Sequence, residues 1–145
     1  MTDTGDNRAA LLAREAWEHE TLPSLKTRRL SSGQSVEEPF RIYRESAAAV
    51  IHWNGRFADI IRVETLAPKT GAATEMMKFI ISLALEHGVI LRGNPVPYPP
   101  SFQQAATAPM GQARLIQWYE RLGFEVWESK GMYFMGYPTR EAASS

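Results

Sequence analysis

Gly71, Ala72, Ala73 and Thr74 open a strongly apolar segment, and Pro68, Lys69 and Thr70 lead into it. A chain that passes from strand through Gly-x-Ala into a helix leaves backbone N–H groups free and points the positive end of the helix dipole at them. Phosphate oxygens suit that geometry, and small residues let an anion approach the backbone. The same residues also make an ordinary tight turn, so the motif alone leaves both readings open. Asp59 and Glu64 lie in one strand-like run, FADIIRVETL, and are carboxylates able to accept a proton. Strict alternation puts them on opposite faces unless a bulge intervenes, and either can also be a plain exposed strand residue. The three histidines stand at 19, 52 and 87 without the spacing of metal ligands, so no metal is expected. His87 reads as a partner for a helix C-terminus, and His52 as a structural strand residue.

Composition removes other chemistries. With no cysteine, disulfides, thiolate metal sites and cysteine nucleophiles are excluded. Lys plus Arg and Asp plus Glu both number 16, so no global field draws in nucleic acid or an anionic membrane. The basic cluster Lys26, Arg28 and Arg29 reads as a solvated run. No stretch has the roughly 20 apolar residues that cross a bilayer. The first residues, MTDTGDNRAALLARE, lack the pattern of a signal peptide. These features predict a soluble, cytoplasmic protein, and the 145 residues predict one domain with frayed ends over 1–6 and 139–145.

The elements that must position these residues follow from periodicity. Residues 9–20 predict a helix with Leu11, Leu12, Ala16 and Trp17 on apolar faces, capped by Thr4 or Asp6 and ended by Pro23. Residues 31–39 (SSGQSVEEP) predict a polar loop. Strands are predicted over 40–44, 48–53 and 57–66, the last two joined at Asn54-Gly55, a hairpin signal for a type I′ turn. Residues 72–87 predict a buried helix closed by Gly88. A short strand over 89–91, a helix over 111–122 ending at Gly123, and strands over 124–127 and 132–137 complete the chain. The helix before the short strand predicts a parallel crossover, and hence a mixed α/β sheet. Residues 92–110 form a long loop with prolines at 95, 97, 99, 100 and 109. Loops of that length are often functional, and this one predicts a stiff wall carrying Tyr98 and Phe102; a surface insertion without a role is the alternative.

Two segments resemble the GNAT superfamily of acyl-CoA-dependent N-acyltransferases. The first is PKTGAATEMM, similar to the acyl-CoA motif Arg/Gln-x-x-Gly-x-Gly/Ala. Gly71 and Ala73 fall on its small positions, Met76 and Met77 on its paired leucines, Ala84 on its alanine and Gly88 on its closing glycine. Pro68 departs at the first position, where an amide is expected and proline has none. The second is GQARLIQWYERLGFEVW, similar to Asn-x-x-Ala-x-x-x-Tyr-x-x-x-Gly-Phe, with Gln112 and Leu115 substituted and Tyr119, Gly123 and Phe124 matching. The resemblance covers residues 40–137. It implies a mostly antiparallel mixed sheet of six to seven strands with helices on both faces. It implies acetyl-CoA as co-substrate, bound by Lys69, Thr70, Gly71, Ala72, Ala73, Thr74 and Gln112, with backbone amides near Thr65 and Leu66 polarising the thioester. Tyr119 is then the acid for the leaving thiolate, which suits a phenol of pKa about 10; the alternative is a core tyrosine. Asp59 or Glu64 is the base, and FADII resembles the strand of the histone-acetyltransferase branch, in which a carboxylate at the place of Asp59 has that role.

The expected activity is acetyl transfer to a primary amine in a ternary complex, on an unidentified acceptor. The other readings are a catalytically inactive binding protein of this fold, and a transferase acting on a modified nucleobase, which charge does not support. A homodimer stays open.

Overall fold

The structure, a computed structural model, describes residues 4–99, 101–102 and 111–144, with side chains from Arg8 onward. Helix α1 spans Thr4–His19, and strands β1 to β4 span Thr21–Arg29, Ser35–Tyr43, Ala47–Asn54 and Phe57–Thr65. Helix α2 (Ala72–His87), β5 (Ile90–Gly93), α3 (Gln112–Arg121), β6 (Glu125–Ser129), β7 (Met132–Tyr137) and α4 (Arg140–Ala143) follow. The strands form one seven-stranded sheet, ordered β1-β2-β3-β4-β5-β7-β6. Every neighbouring pair is antiparallel except β4 and β5, which run parallel because α2 carries the chain from one to the next. The mixed α/β sheet expected from the sequence is therefore present.

The N-terminal third departs from that expectation. Residues 21–29 form β1, and Pro23 sits inside it rather than only ending the helix. An edge strand tolerates proline because one row of its N–H groups has no ladder to fill. Residues 35–39, expected to be loop, belong to β2 and pair with β1 throughout, with Lys26 opposite Glu38. Pro39 is accepted because β2 meets β3 only from Arg41 to Tyr43. Helix α1 begins at Thr4, and Thr139 caps α4 by accepting from the Ala142 N–H. The β3–β4 turn falls one residue later than expected. Asn54 pairs with Phe57, and of the turn residues Gly55 and Arg56 only Gly55 has positive φ, so the type I′ expectation fails. Lys130 and Gly131, both at positive φ, make the I′ pattern between β6 and β7 instead.

Helices α1, α2 and α3 share one core on the first sheet face. In α1 the buried stripe is Ala9, Ala10, Ala13 and Trp17, while Leu11 and Leu12 face solvent, the reverse of the simple apolar reading for the leucines. Alanines let the helix lie close to Ala47 and Ala49 of β3, and Trp17 then stacks on Tyr43 with ring centroids 6.3 Å apart. Met76, Met77 and Ile80 of α2 are fully buried, and Gly88 ends that helix in the left-handed conformation. The second face carries α4, whose Ala143 rests against Gly136, and a smaller core of Phe40, Ala48, Val50 and Phe102. Among the described residues no helix is long and apolar enough to cross a membrane.

Trp17 is 1% exposed and Leu12 44%. Trp17→Ala is expected to lower the unfolding free energy by about 3–5 kcal/mol. Leu12→Ala should change it by less than about 0.5 kcal/mol. Urea unfolding followed by circular dichroism checks the ranking.

Candidate functional site

The site begins where two strands part. β4 pairs with β5 only from Phe57 opposite Ile90 to Ile60 opposite Gly93. Beyond Ile60, β4 continues to Thr65 paired to β3 alone, so the sheet opens there. At the same place the β3–β4 register slips, with Ile51 opposite Ile60 but Val50 opposite Arg62, leaving Ile61 as the extra residue of a bulge. Ala58, Ile60 and Val63 therefore contact the first core. Asp59, opposite His52, and Glu64, opposite Ala48, come to the second face together. The bulge lies at Ile61 rather than beside Thr65 and Leu66. The Leu66 N–H is already given to the Ser46 carbonyl at 2.8 Å, which removes it as a donor to a substrate.

From the end of β4 the chain enters the turn before α2. Lys69 has φ 66° and Gly71 φ 78°, both left-handed. For lysine that conformation costs on the order of 1–3 kcal/mol, and such outliers cluster at functional turns. The Thr70 hydroxyl donates to the Ala67 carbonyl and braces the bend. The first helical bond runs from the Glu75 N–H to the Gly71 carbonyl at 3.0 Å, so the N–H groups of Ala72, Ala73 and Thr74 precede the ladder. Among the described residues no side chain caps the helix start. Thr74 is tied to α3 by the Trp118 Nε1–H at 2.9 Å, and Lys69, Thr70 and Gly71 are exposed.

Tyr119 lies in the first core, 5% exposed, with its ring edge-on to Phe124 at 5.4 Å. Burial pushes its phenol far above the ordinary value of 10, with a smaller contribution from the Tyr98 phenol. It therefore keeps its proton at any ordinary pH and is suited to donating a hydrogen bond rather than to releasing the proton. Gln112 donates to the Pro95 carbonyl at 3.2 Å and so holds the proline-rich segment rather than presenting a free amide.

The described residues of that segment up to Phe102 form a strap over the second face, clasped by a side chain that pattern reading overlooks. Arg62, 3% exposed at its side chain, bonds Glu38 at 2.6 Å, Glu64 at 3.0 Å and the Pro99 carbonyl at 2.7 Å. Glu64 also accepts from the Ser101 N–H at 2.8 Å and the Phe102 N–H at 3.2 Å. The Ser101 hydroxyl donates to Glu38 at 2.7 Å. Glu64 is thus committed to holding the strap, and its lone pairs are occupied. Phe102, expected to stand on a wall of the loop, is 5% exposed and packs edge-on against Phe40 at 5.0 Å. Tyr98 is 41% exposed, above the Arg62 guanidinium. The rest of the expected loop, residues 103–110 with Pro100, lies outside the described residues. The signal for Arg62 in the sequence was a lone cation between Ile61 and Val63, two residues from an acid.

Asp59 has a different environment. It pairs with Arg92 of β5, Nε to Oδ1 2.7 Å and Nη2 to Oδ2 3.4 Å, with both side chains about one-third exposed (31% and 34%). Both line a cavity of about 310 Å³ on the second face, with Ile60, Ile61, Gly93 and Asn94 on one side and Trp127, Phe134 and Met135 on the other.

A mixed sheet with one parallel pair, parted past Ile60 and Gly93 and followed by a helix across the gap, defines a GNAT-like α/β fold. Its structure is similar to that of the anti-CRISPR protein AcrVA5, with a TM-score of 0.50 and 18% identity over 65% of this chain and 93% of that one. No family model matches the chain, and no curated protein matches its sequence.

The raised Tyr119 phenol makes stability depend on alkali. The unfolded phenol ionises near pH 10 and the folded one higher, so this contribution is complete below pH 10 and is lost as pH rises above it. At one unit above that value the loss is about 1.4 kcal/mol. Tyr119→Phe should flatten the fall in urea midpoint between pH 9 and pH 11.

Proposed function

We propose that the protein is a GNAT-type N-acetyltransferase that moves an acetyl group from acetyl-CoA to a primary amine by direct transfer. The observation that carries this reading is the opening between β4 and β5, fed at one end by a left-handed turn and an uncapped helix N-terminus. A GNAT-like fold and the Gly71-x-Ala73 and Tyr119-x-x-x-Gly123-Phe124 matches support it.

The turn fits a pyrophosphate. The N–H groups of Ala72, Ala73 and Thr74 would receive its oxygens, and exposed Lys69 would add charge, while Pro68 withholds the amide that the motif usually supplies. Bound acetyl-CoA supplies a thioester carbonyl at the opening. The amine nitrogen attacks the carbonyl carbon, a new C–N bond forms and the C–S bond breaks. Asp59 takes the proton from nitrogen, because Glu64 is occupied by Arg62 and the strap amides. Tyr119 stabilises the departing thiolate with a hydrogen bond. A thiol of pKa about 8.5 leaves a base too weak to remove a proton from so raised a phenol. Solvent then protonates the thiolate. Proximity of the two substrates in one opening supplies the largest share of the acceleration.

Pro68 favours a second reading, a binding protein of the same fold that does not turn over. Calorimetry with acetyl-CoA separates the two. Asparagine and aspartate both tolerate the left-handed conformation of Gly71, and a Cβ there meets nothing within 4 Å. Gly71→Asp should weaken acetyl-CoA binding by about tenfold or more through charge, with Gly71→Asn much closer to wild type. Equal weakness in wild type and both variants, with no binding at millimolar donor, favours the non-enzymatic reading.

Tyr119→Phe should lower kcat about tenfold to a hundredfold, the worth of one hydrogen bond to a charged group, with little change in the KM for acetyl-CoA. Unchanged kcat returns Tyr119 to core packing alone.

A further inference from the structure

The cavity beside the opening has a chemistry of its own. At about 310 Å³ it sits at the lower bound of cavities that hold small molecules, so a metabolite fits it better than a folded surface does. One wall is the Asp59–Arg92 pair. The other is Trp127 and Phe134, with ring planes 22° apart and centroids 6.0 Å apart. The polar wall is held in place, because Arg92 lies over the Phe57 ring at 3.9 Å and that contact fixes the guanidinium plane. The aromatic wall is held too, since Arg140 covers Trp127 at 5.2 Å.

The pair still has bonding capacity. Arg92 Nη1 has no protein partner among the described residues, and Asp59 Oδ2 has only the 3.4 Å contact. A ligand can therefore bring an acceptor to Arg92 and a donor to Asp59 at once. Charge decides which ligand does so. With Arg92 Nε 2.7 Å from Asp59, a lone ammonium is attracted by one group and repelled by the other, and a lone carboxylate meets the converse. A zwitterion with its ammonium and carboxylate on the same carbon satisfies both. Lysine side chains and peptide N-termini lack the adjacent carboxylate.

We propose that this cavity binds a free α-amino acid with an aromatic side chain. Its carboxylate docks on Arg92, its ammonium on Asp59 and its ring on Trp127 and Phe134. In naming that amino acid as the acceptor, the inference rests on the acetyltransferase reading; the binding itself does not. The chemistry is consistent with turnover. Asp59 takes one proton from the α-ammonium, the neutral nitrogen bonds to the acetyl carbon as the C–S bond breaks, and its second proton passes through solvent, which protonates the departing thiolate. The product is an N-acetylamino acid whose amide nitrogen is uncharged, so it loses its attraction to Asp59 and leaves.

The test titrates wild-type protein by calorimetry with L-phenylalanine, phenethylamine, 3-phenylpropionate and glycine. L-Phenylalanine is expected to bind, and each of the others to bind about tenfold more weakly, the worth of one charge-assisted hydrogen bond or one stacked ring. Arg92→Gln should erase the preference of L-phenylalanine over phenethylamine while leaving thermal unfolding cooperative. Equal affinity for phenethylamine and L-phenylalanine, or no binding of aromatic amino acids at millimolar concentration, overturns the proposal. Because the comparison among ligands uses the unaltered protein, a variant that fails to fold leaves it decisive. Mass detection with added acetyl-CoA separates the two claims. Binding of L-phenylalanine without its acetylation removes it as the acceptor and leaves the binding site standing. Acetylation of other amines without L-phenylalanine binding sinks the site and leaves the enzyme.

Discussion

The guanidinium of Arg62 lies under the strap with its side chain 3% exposed, and a buried cation requires partners on every side. They come from three places in the chain: Glu38 of β2, Glu64 of β4, and the Pro99 and Ser101 region of the strap. Among the described residues its Nε is buried without a partner. Removing either carboxylate would leave the cation short of charge in a poorly solvated place, which typically costs about 3–5 kcal/mol. The strap therefore lies across the second face because a charge beneath it has to be neutralised. Tyr98 and Phe40 complete the enclosure with their ring faces toward the cation.

That arrangement depends in turn on one extra residue. Without the bulge at Ile61, alternation would send Arg62 and Glu64 into the first core, among apolar Ala49, Met77 and Ile80. With it, Asp59, Arg62 and Glu64 all reach the second face. The same slip coincides with the end of the β4–β5 pairing, so the device that places the charges also marks the opening. The three side chains then divide the work. Arg62 and Glu64 hold the strap, while Asp59, paired to Arg92 among the described residues, stays beside the cavity.

Two acids five residues apart in the run FADIIRVETL differ in the sequence only by the resemblance of FADII, which favours Asp59. Their separation into one fixed and one accessible carboxylate comes from partners 33 to 38 residues away, which no local pattern encodes. Gln112 makes the same point: its place in a motif suggested a ligand contact, and its partner proved to be the Pro95 carbonyl. β1 and the start of β2 were hidden because their side chains are mostly polar and each contains a proline. Pairing along an edge stabilises them with backbone bonds and cross-strand charges instead of an apolar face. In α1 the leucines pointed to the wrong face because alanine, weakly apolar in any pattern, is what close helix–sheet contact demands.

What the sequence by itself determined were the features set by short-range physics. An apolar run of 16 residues ending at a left-handed glycine has to be a buried helix, and it stands as α2 between parallel strands. A small-residue turn at its start suits free N–H groups, and those of Ala72, Ala73 and Thr74 precede the helical ladder. The spacing of Leu115, Tyr119 and Leu122, followed by Gly123, has to put Tyr119 on an inward helix face. Tertiary structure decided what depends on distant partners: where the bulge falls, which carboxylate stays accessible, that Arg62 clasps the strap, and that Arg92, Trp127 and Phe134 meet around one cavity. The reason is that buried charges and cavities are settled by neutralisation and packing among segments far apart in sequence, and those contacts exist only once the sheet has assembled.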